Sequence, residues 1–249
     1  MPVMDEFKEE REALKHGTPK QKFSYFMDYY KWHLVAGIAI IGIVVSLIHQ
    51  IATSKDTALY VCLINAVERG FGESNSGGRD PFMEYAGIDP GAYSIIYDTS
   101  VQVNSGSPDE VASAQKLMVY IAAAELDVIV TNPSSLERYA YQDDFMDLRE
   151  LLTPEQFDLY EPFFYYVDGE IIKEFEAASE ALDTDYVLQA PNPRKPENMQ
   201  DPIPVGIYLD GCESIREDYY FQQDEVVLSV LVNTTRPDTA ALYIDYLMQ

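Results

Sequence analysis

Histidine is nearly missing from this chain: His16, His33 and His49 are the only three, and none lies beyond residue 49. Past that point Ser-His-Asp and Cys-His catalysis are excluded, as is any zinc site with a histidine ligand. Cysteine is equally scarce. Cys62 and Cys212 are the only two, too few for a disulfide scaffold or a four-cysteine cluster. Either they form one bridge or they are two separate buried thiols. Tryptophan occurs once, at Trp32, so the rest of the chain has no indole on which to stack a sugar. Positive charge is short too, with 17 Lys and Arg against 42 Asp and Glu and a net charge of −25. Residues 1–53 carry six of each sign, which leaves residues 54–249 with 11 basic and 36 acidic side chains. So acidic a segment repels phosphate backbones, which excludes nucleic acid as a partner. It suits a cationic or small polar ligand, a basic protein surface, or plain solubility.

Motifs for nucleotide or acyl chemistry are absent as well. There is no GxSxG, P-loop or GxGxxG, and GESNSGG (72–78) is only glycine-rich. A carboxylate-paired hydrolase is the enzyme chemistry that remains. Among 36 acidic residues, however, two at a workable distance carry no information. The acidic groups Asp143/Asp144/Asp147 and Asp183/Asp185 lack the spacing and glycine of an EF-hand loop. The chain is therefore read as a non-enzyme with no cofactor and no metal.

What is present is a long apolar run. Residues 34–52, LVAGIAIIGIVVSLIHQIA, hold no charge over 19 positions, and 11 of them are Leu, Ile or Val. As a helix the run reaches about 28 Å, close to the ~30 Å core of a bilayer. A buried core helix would be apolar on one face only, and a secretory h-region would be shorter and nearer the N-terminus. The run is expected to be an uncleaved signal anchor. Lys8, Arg11, Lys15, Lys20, Lys22 and Lys31 precede it, and only Lys55 follows closely. The positive-inside rule then leaves the N-terminus in the cytoplasm and exports the remainder. Tyr25, Phe26, Tyr29, Tyr30 and Trp32 form an aromatic belt at the entry, and residues 5–16 suggest a short solvated helix. The expected organisation is a cytoplasmic and interfacial segment (1–33), a transmembrane helix (34–53) and an extracellular domain (57–249), placed at the plasma membrane.

In the exported part, apolar strands alternate with helical patterns. Strands are expected at Thr57–Asn65, Ala92–Thr99, Leu126–Thr131, Phe163–Val167, Val205–Leu209 and Val226–Val232. Helices are expected from Ser107-Pro108-Asp109-Glu110 onward, after Asn132-Pro133, and over Pro154–Tyr160, Ile171–Leu182 and Pro237–Met248. Residues 190–204 hold five prolines and read as a loop. This alternation implies an α/β fold with βαβ units and a parallel or mixed sheet. A ligand would then sit beyond the carboxyl ends of the parallel strands, where Asn65, Asp98, Thr99, Thr131, Asn132, Ser134 and Asp210 fall. Several of these residue types also cap helices and close turns.

Four segments carry a resemblance: LDVIVTN (126–132), SSLERYAYQDDFMDLRELL (134–152), PVGIYLDG (204–211) and VVLSVLVNTTRPDTAALYIDYL (226–247). They resemble a strand and polar turn, an acidic-apolar helix stretch, a return strand and the closing strand-helix of extracellular solute-binding proteins. The entry TPKQKFSYFMDYYKWH (18–33) resembles single-pass membrane proteins of Gram-positive anaerobes. The resemblance implies a periplasmic-binding-type domain. Only 97 residues follow Leu152, so the second lobe is reduced. It further implies a membrane-tethered binding or docking module serving a transport complex such as an ABC-type transporter. A structural or accessory subunit without a small-molecule ligand is the alternative reading, and a carboxylate-dependent hydrolase the third.

Overall fold

The computed structural model describes residues 18–69, 80–103, 110–183 and 185–249, and within them all side chains but those of residues 21, 22, 24–26, 28–30, 51–53 and 138. The helix expected at 5–16, most of the Gly/Ser-rich loop, the Ser107-Pro108-Asp109 helix start and the side chains of Tyr25, Phe26, Tyr29 and Tyr30 lie outside the described part.

The chain divides into two units, residues 1–54 and 55–249. The first is built on one helix, α1 (Pro19–Thr53), which opens on a proline whose ring presets the helical φ. Within it Lys31–Gln50 is long and apolar enough to cross a membrane by length and composition. Leu34, Val35, Ile40, Ile43 and Val44, which point in different directions around the helix, are all exposed.

Along the second unit come β1 (Asp56–Leu63), β2 (Ala66–Glu68), α2 (Pro81–Ala86), β3 (Tyr93–Asp98), α3 (Glu110–Ala122), β4 (Val128–Thr131), α4 (Pro133–Ala140) and α5 (Leu148–Leu151). Then follow α6 (Pro154–Tyr160), β5 (Phe164–Asp168), α7 (Gly169–Glu180), β6 (Pro202–Tyr208), α8 (Glu213–Asp218), β7 (Tyr219–Phe221), β8 (Val227–Val230) and α9 (Pro237–Leu247). Local chemistry marks several boundaries. Asp80, Asn132, Asp147 and Thr153 each accept a backbone N–H as N-caps, and Thr153 with Gln156 completes a capping box.

Six strands form one mixed sheet in the order β3-β1-β4-β8-β6-β5. β1 runs parallel to β3 and β4, as the βαβ reading expects. From β4 onward the sense alternates, because β8 is antiparallel to both β4 and β6, and β5 is antiparallel to β6. Apolar runs buried on both faces carry no direction, so the sequence left this half of the sheet undetermined. The strands beyond Leu152 extend the first sheet; β2 and β7 pair as the other, two-stranded sheet among the described residues.

Alternation along β1 divides the core in two. Leu59, Val61 and Leu63 point to one face, where α2, α5, α6, α8 and α9 bring Phe82, Leu148, Tyr160, Ile215 and Tyr243. Tyr60, Cys62 and Ile64 point to the other, where α3 and α4 bring Leu117, Leu136 and Tyr139. The result is a three-layer α/β/α unit.

Candidate functional site

β6 runs in the same sense as β1, β3 and β4, so four carboxyl ends share one edge of the sheet. Along that edge lie Asp98 at the end of β3, Asn65 just past β1, Thr131 closing β4 and Asp210 just past β6. The chain leaves β1 toward α2 on the first face and leaves β4 toward α4 on the second. The gap between these two strand ends is therefore the topological switch point, where an α/β sheet offers its crevice.

The protein fills that crevice with its own chain. Asn65 adopts a left-handed conformation (φ 58°), and its N–H donates to the Val101 carbonyl at 3.1 Å. Its side-chain amide imitates a peptide group. Nδ2 donates to the Val103 carbonyl at 2.8 Å while Oδ1 accepts from the Val103 N–H at 2.9 Å. Residues 101–103 are thereby laid across the end of β1 with Val101 and Val103 buried. Nδ2 also reaches Ser135 Oγ at 3.4 Å, joining the β1 end to the start of α4. Asn132 caps α4, accepting from the Ser135 N–H at 2.9 Å and from the Ser134 hydroxyl at 2.7 Å. Thr99 is half-buried in the turn after β3. Thr131 is fully buried and its Oγ1 has no hydrogen-bond partner, as is also true of Ser229 Oγ on β8.

Asp98 is the most heavily bonded of the expected ligand residues. It accepts from Lys116 Nζ at 2.7 Å, from Tyr60 Oη at 2.9 Å, and from the Ser100 N–H at 2.8 Å and its hydroxyl. Burial on its own would raise the carboxyl, but the bonds from Lys116, Ser100 and Tyr60 outweigh it and hold the group down at about 2. Lys116 is in turn raised: burial opposes its charge, but the Asp98 carboxylate outweighs that. Neighbouring Cys62 is pushed up to about 12, chiefly by burial and then by the Asp98 charge. A protonated lysine and a protonated thiol supply neither a base nor a nucleophile here.

At the far end of the edge Asp210 binds Arg194, contributed by the proline-rich loop. The guanidinium meets Asp210 at 2.7 Å and Glu225 at 3.0 Å, and lies 3.4 Å over the Tyr208 ring. A second anchor for this loop is Asp168, which accepts the N–H groups of Gln200, Asp201 and Glu170 at 2.8–3.1 Å. Burial pushes the Asp168 carboxyl up, and the three N–H donors more than offset this, leaving it lowered.

The sequence-expected residues Asn65, Asp98, Thr131, Asn132 and Asp210 do share one edge, with Ser134 beside them, but most already serve the fold's own loops. Lys116, Tyr60, Arg194 and Val101–Val103 were not anticipated. Lys116 is one of only 11 basic residues after position 53, a scarcity that marks it as partnered. Among the described residues no group of three His, Cys, Asp or Glu side chains is arranged to hold a metal ion. Asp147 caps α5 and pairs with Arg149, and Asp183 accepts the Asp185 N–H. The cysteine alternatives resolve to two buried free thiols. Cys62 faces the α3–α4 core and Cys212 the opposite one, so the sheet stands between them and no bridge forms. No family model, curated protein or solved structure matches this chain.

Proposed function

We propose that this protein is a membrane-tethered docking module, with α1 as its single-pass anchor, its N-terminus in the cytoplasm and its α/β unit exported. In this reading the α/β unit is a solute-binding-protein-like scaffold reduced to one lobe. It serves a partner membrane protein, such as a transporter complex, and turns over no substrate. One observation carries the docking reading: the switch-point crevice is occupied by Asn65 and residues 101–103 of the chain itself. A site for a small solute keeps polar groups available at that crevice, and here they are already bonded.

Support for the anchor is the segment Lys31–Gln50 and its exposed side chains, together with the six basic residues that precede the apolar run. Single cysteines at Lys8 or Ser54, in a Cys62→Ala, Cys212→Ala background, test the orientation in intact cells. An impermeant maleimide should label Ser54→Cys and spare Lys8→Cys; the reverse pattern would sink the topology.

Binding of a small polar or cationic solute is the second reading, favoured by the shared carboxyl edge and the unpartnered Thr131 hydroxyl. Thermal melts of the full chain in detergent, with peptides, polyamines, sugars and divalent cations, separate the two. The docking reading expects no saturable rise in the melting midpoint. A rise that follows mass action with one compound would replace it with solute binding.

A further inference from the structure

We infer that the outer face of α3 is the surface that receives the partner. The partner we assign to it is an amphipathic helix with an apolar stripe and Lys or Arg at both ends. The inference rests on the docking reading and locates it.

α3 turns Ser113 and Leu117 toward the sheet, where both are buried. The helical period puts Val111, Gln115, Met118 and Ala122 on the opposite side, with Val119 beside them. Val111 is 69 % exposed, Met118 62 % and Val119 62 %. A surface helix ordinarily turns its charges outward, yet the two charged residues of α3 are elsewhere. Glu110 opens the helix, and Lys116 turns inward to Asp98. The outward stripe is thus uncharged in a segment that carries 36 acidic residues. β3 is an edge strand of the sheet, bonded among the described strands to β1 alone. Ile96 pairs with Tyr60 in register and shares the α3 side of the sheet with Asp98, two residues on; it too is exposed.

Charge selects the occupant. Glu110 opens α3, a helix about 20 Å long at helical rise, and exposed Glu125 follows the left-handed turn at Ala124 just past its other end. A second copy of this chain would bring two strongly acidic units together and repel itself. A helix with basic ends is drawn to the stripe and can lay an apolar face on Val111, Met118 and Val119.

The test uses the full chain in lipid nanodiscs and a labelled 18-residue helical probe peptide with a leucine stripe and lysines at both ends. Fluorescence anisotropy should give saturable binding, weakened about tenfold or more in a matched peptide with glutamates at its ends. Met118→Glu with Val119→Glu should weaken the lysine peptide by a similar factor, as should Gln115→Lys, which disturbs no buried contact. Leu182→Glu, on an exposed apolar residue elsewhere, should bind as wild type. Equal binding of both peptides, or wild-type binding by the stripe variants, overturns the inference. In native membranes, a photocrosslinker at Val111 should trap a peptide with an apolar centre and basic ends. An adduct with a second copy or with lipid overturns the assignment, as does no adduct at Val111 when Tyr220 or Leu182 yields one; the docking reading survives the last case. No adduct from any of these positions removes the docking reading itself.

Discussion

Arg236 donates its Nε–H to the carboxylate of Asp127 at 2.8 Å, joining residues 109 positions apart. Asp127, just before β4, is wholly buried and also accepts the Tyr60 N–H at 2.8 Å and the Thr234 hydroxyl. The rest of the guanidinium donates to the carbonyls of Thr57 at 3.0 Å and Glu125 at 2.8 Å. One ion pair thus ties β1, β4 and the entry to α9 at the edge opposite the candidate site.

Removing the cation should strand that carboxylate in the core. Arg236→Met is expected to destabilise the α/β unit by about 3–5 kcal/mol, because a buried charge without its partner keeps its desolvation penalty. Urea unfolding of the full chain in detergent, followed by near-ultraviolet circular dichroism, measures it. A double-mutant cycle with Asp127→Asn should return a coupling of about 0.5–3 kcal/mol; strictly additive effects would show that the pair contributes nothing as a pair.

Acid should loosen the Asp98 cluster within a defined window. The Asp98 carboxyl is held at about 2 against a reference of 3.8. Its stabilisation is complete above pH 3.8 and is lost as the pH falls toward 2. Lys116 is raised, so its share is complete below 10.5 and is lost as the pH rises through its folded value. Lys116→Met should move the Asp98 titration upward, read by carbon NMR of the carboxyl group, since burial remains while its main counterweight is gone. An unmoved midpoint would refute the role given to Lys116.

Both cysteines should react as free thiols once the chain unfolds. Without reductant, N-ethylmaleimide in denaturant is expected to add twice per chain, detected by intact mass. In the folded protein Cys62 should resist alkylation at pH 8, because it is buried and its thiol is pushed up to about 12. A chain that takes up no label in denaturant would carry the bridge after all.

Gly206 on β6 is fixed by its neighbours. A Cβ there would lie 2.6 Å from Ser229 Oγ and 2.9 Å from the Leu228 carbonyl oxygen. Gly206→Ala should destabilise by about 1–3 kcal/mol through overpacking. Ser229→Ala alone should be close to neutral, since it removes a buried hydroxyl with no partner. Combining the two should recover only part of the loss, because the backbone oxygen remains in the way. Full recovery in urea unfolding would mean that Ser229 was the whole obstacle.

Most elements were legible along the chain because their signals are local. Leu59–Leu63 reads as a strand buried on both faces. Asn132-Pro133 and Thr153-Pro154 combine a cap with a residue preset for the first turn. β2 and β7 left no trace, being three residues each and joined across about 150 positions. Asp127 offered one clue, an acid inside the apolar run LDVIVT. Its partner could not be read off, since a side chain's type does not say what meets it.

For Asn65, Asp98, Asn132 and Asp210 the sequence supplied polar residues at strand ends, but not whether those groups would remain available to a ligand. By itself it determined the apolar helix, the acidic excess that follows it, and the α/β alternation. These come from periodicity and composition, which act over a few residues. Only the tertiary structure decided the direction of β8, β6 and β5, the opposite-face placement of the two cysteines, and the closure of the crevice by residues 101–103. Those are contacts between distant segments, and burying apolar surface favours them jointly without recording in any one segment which partner it will meet.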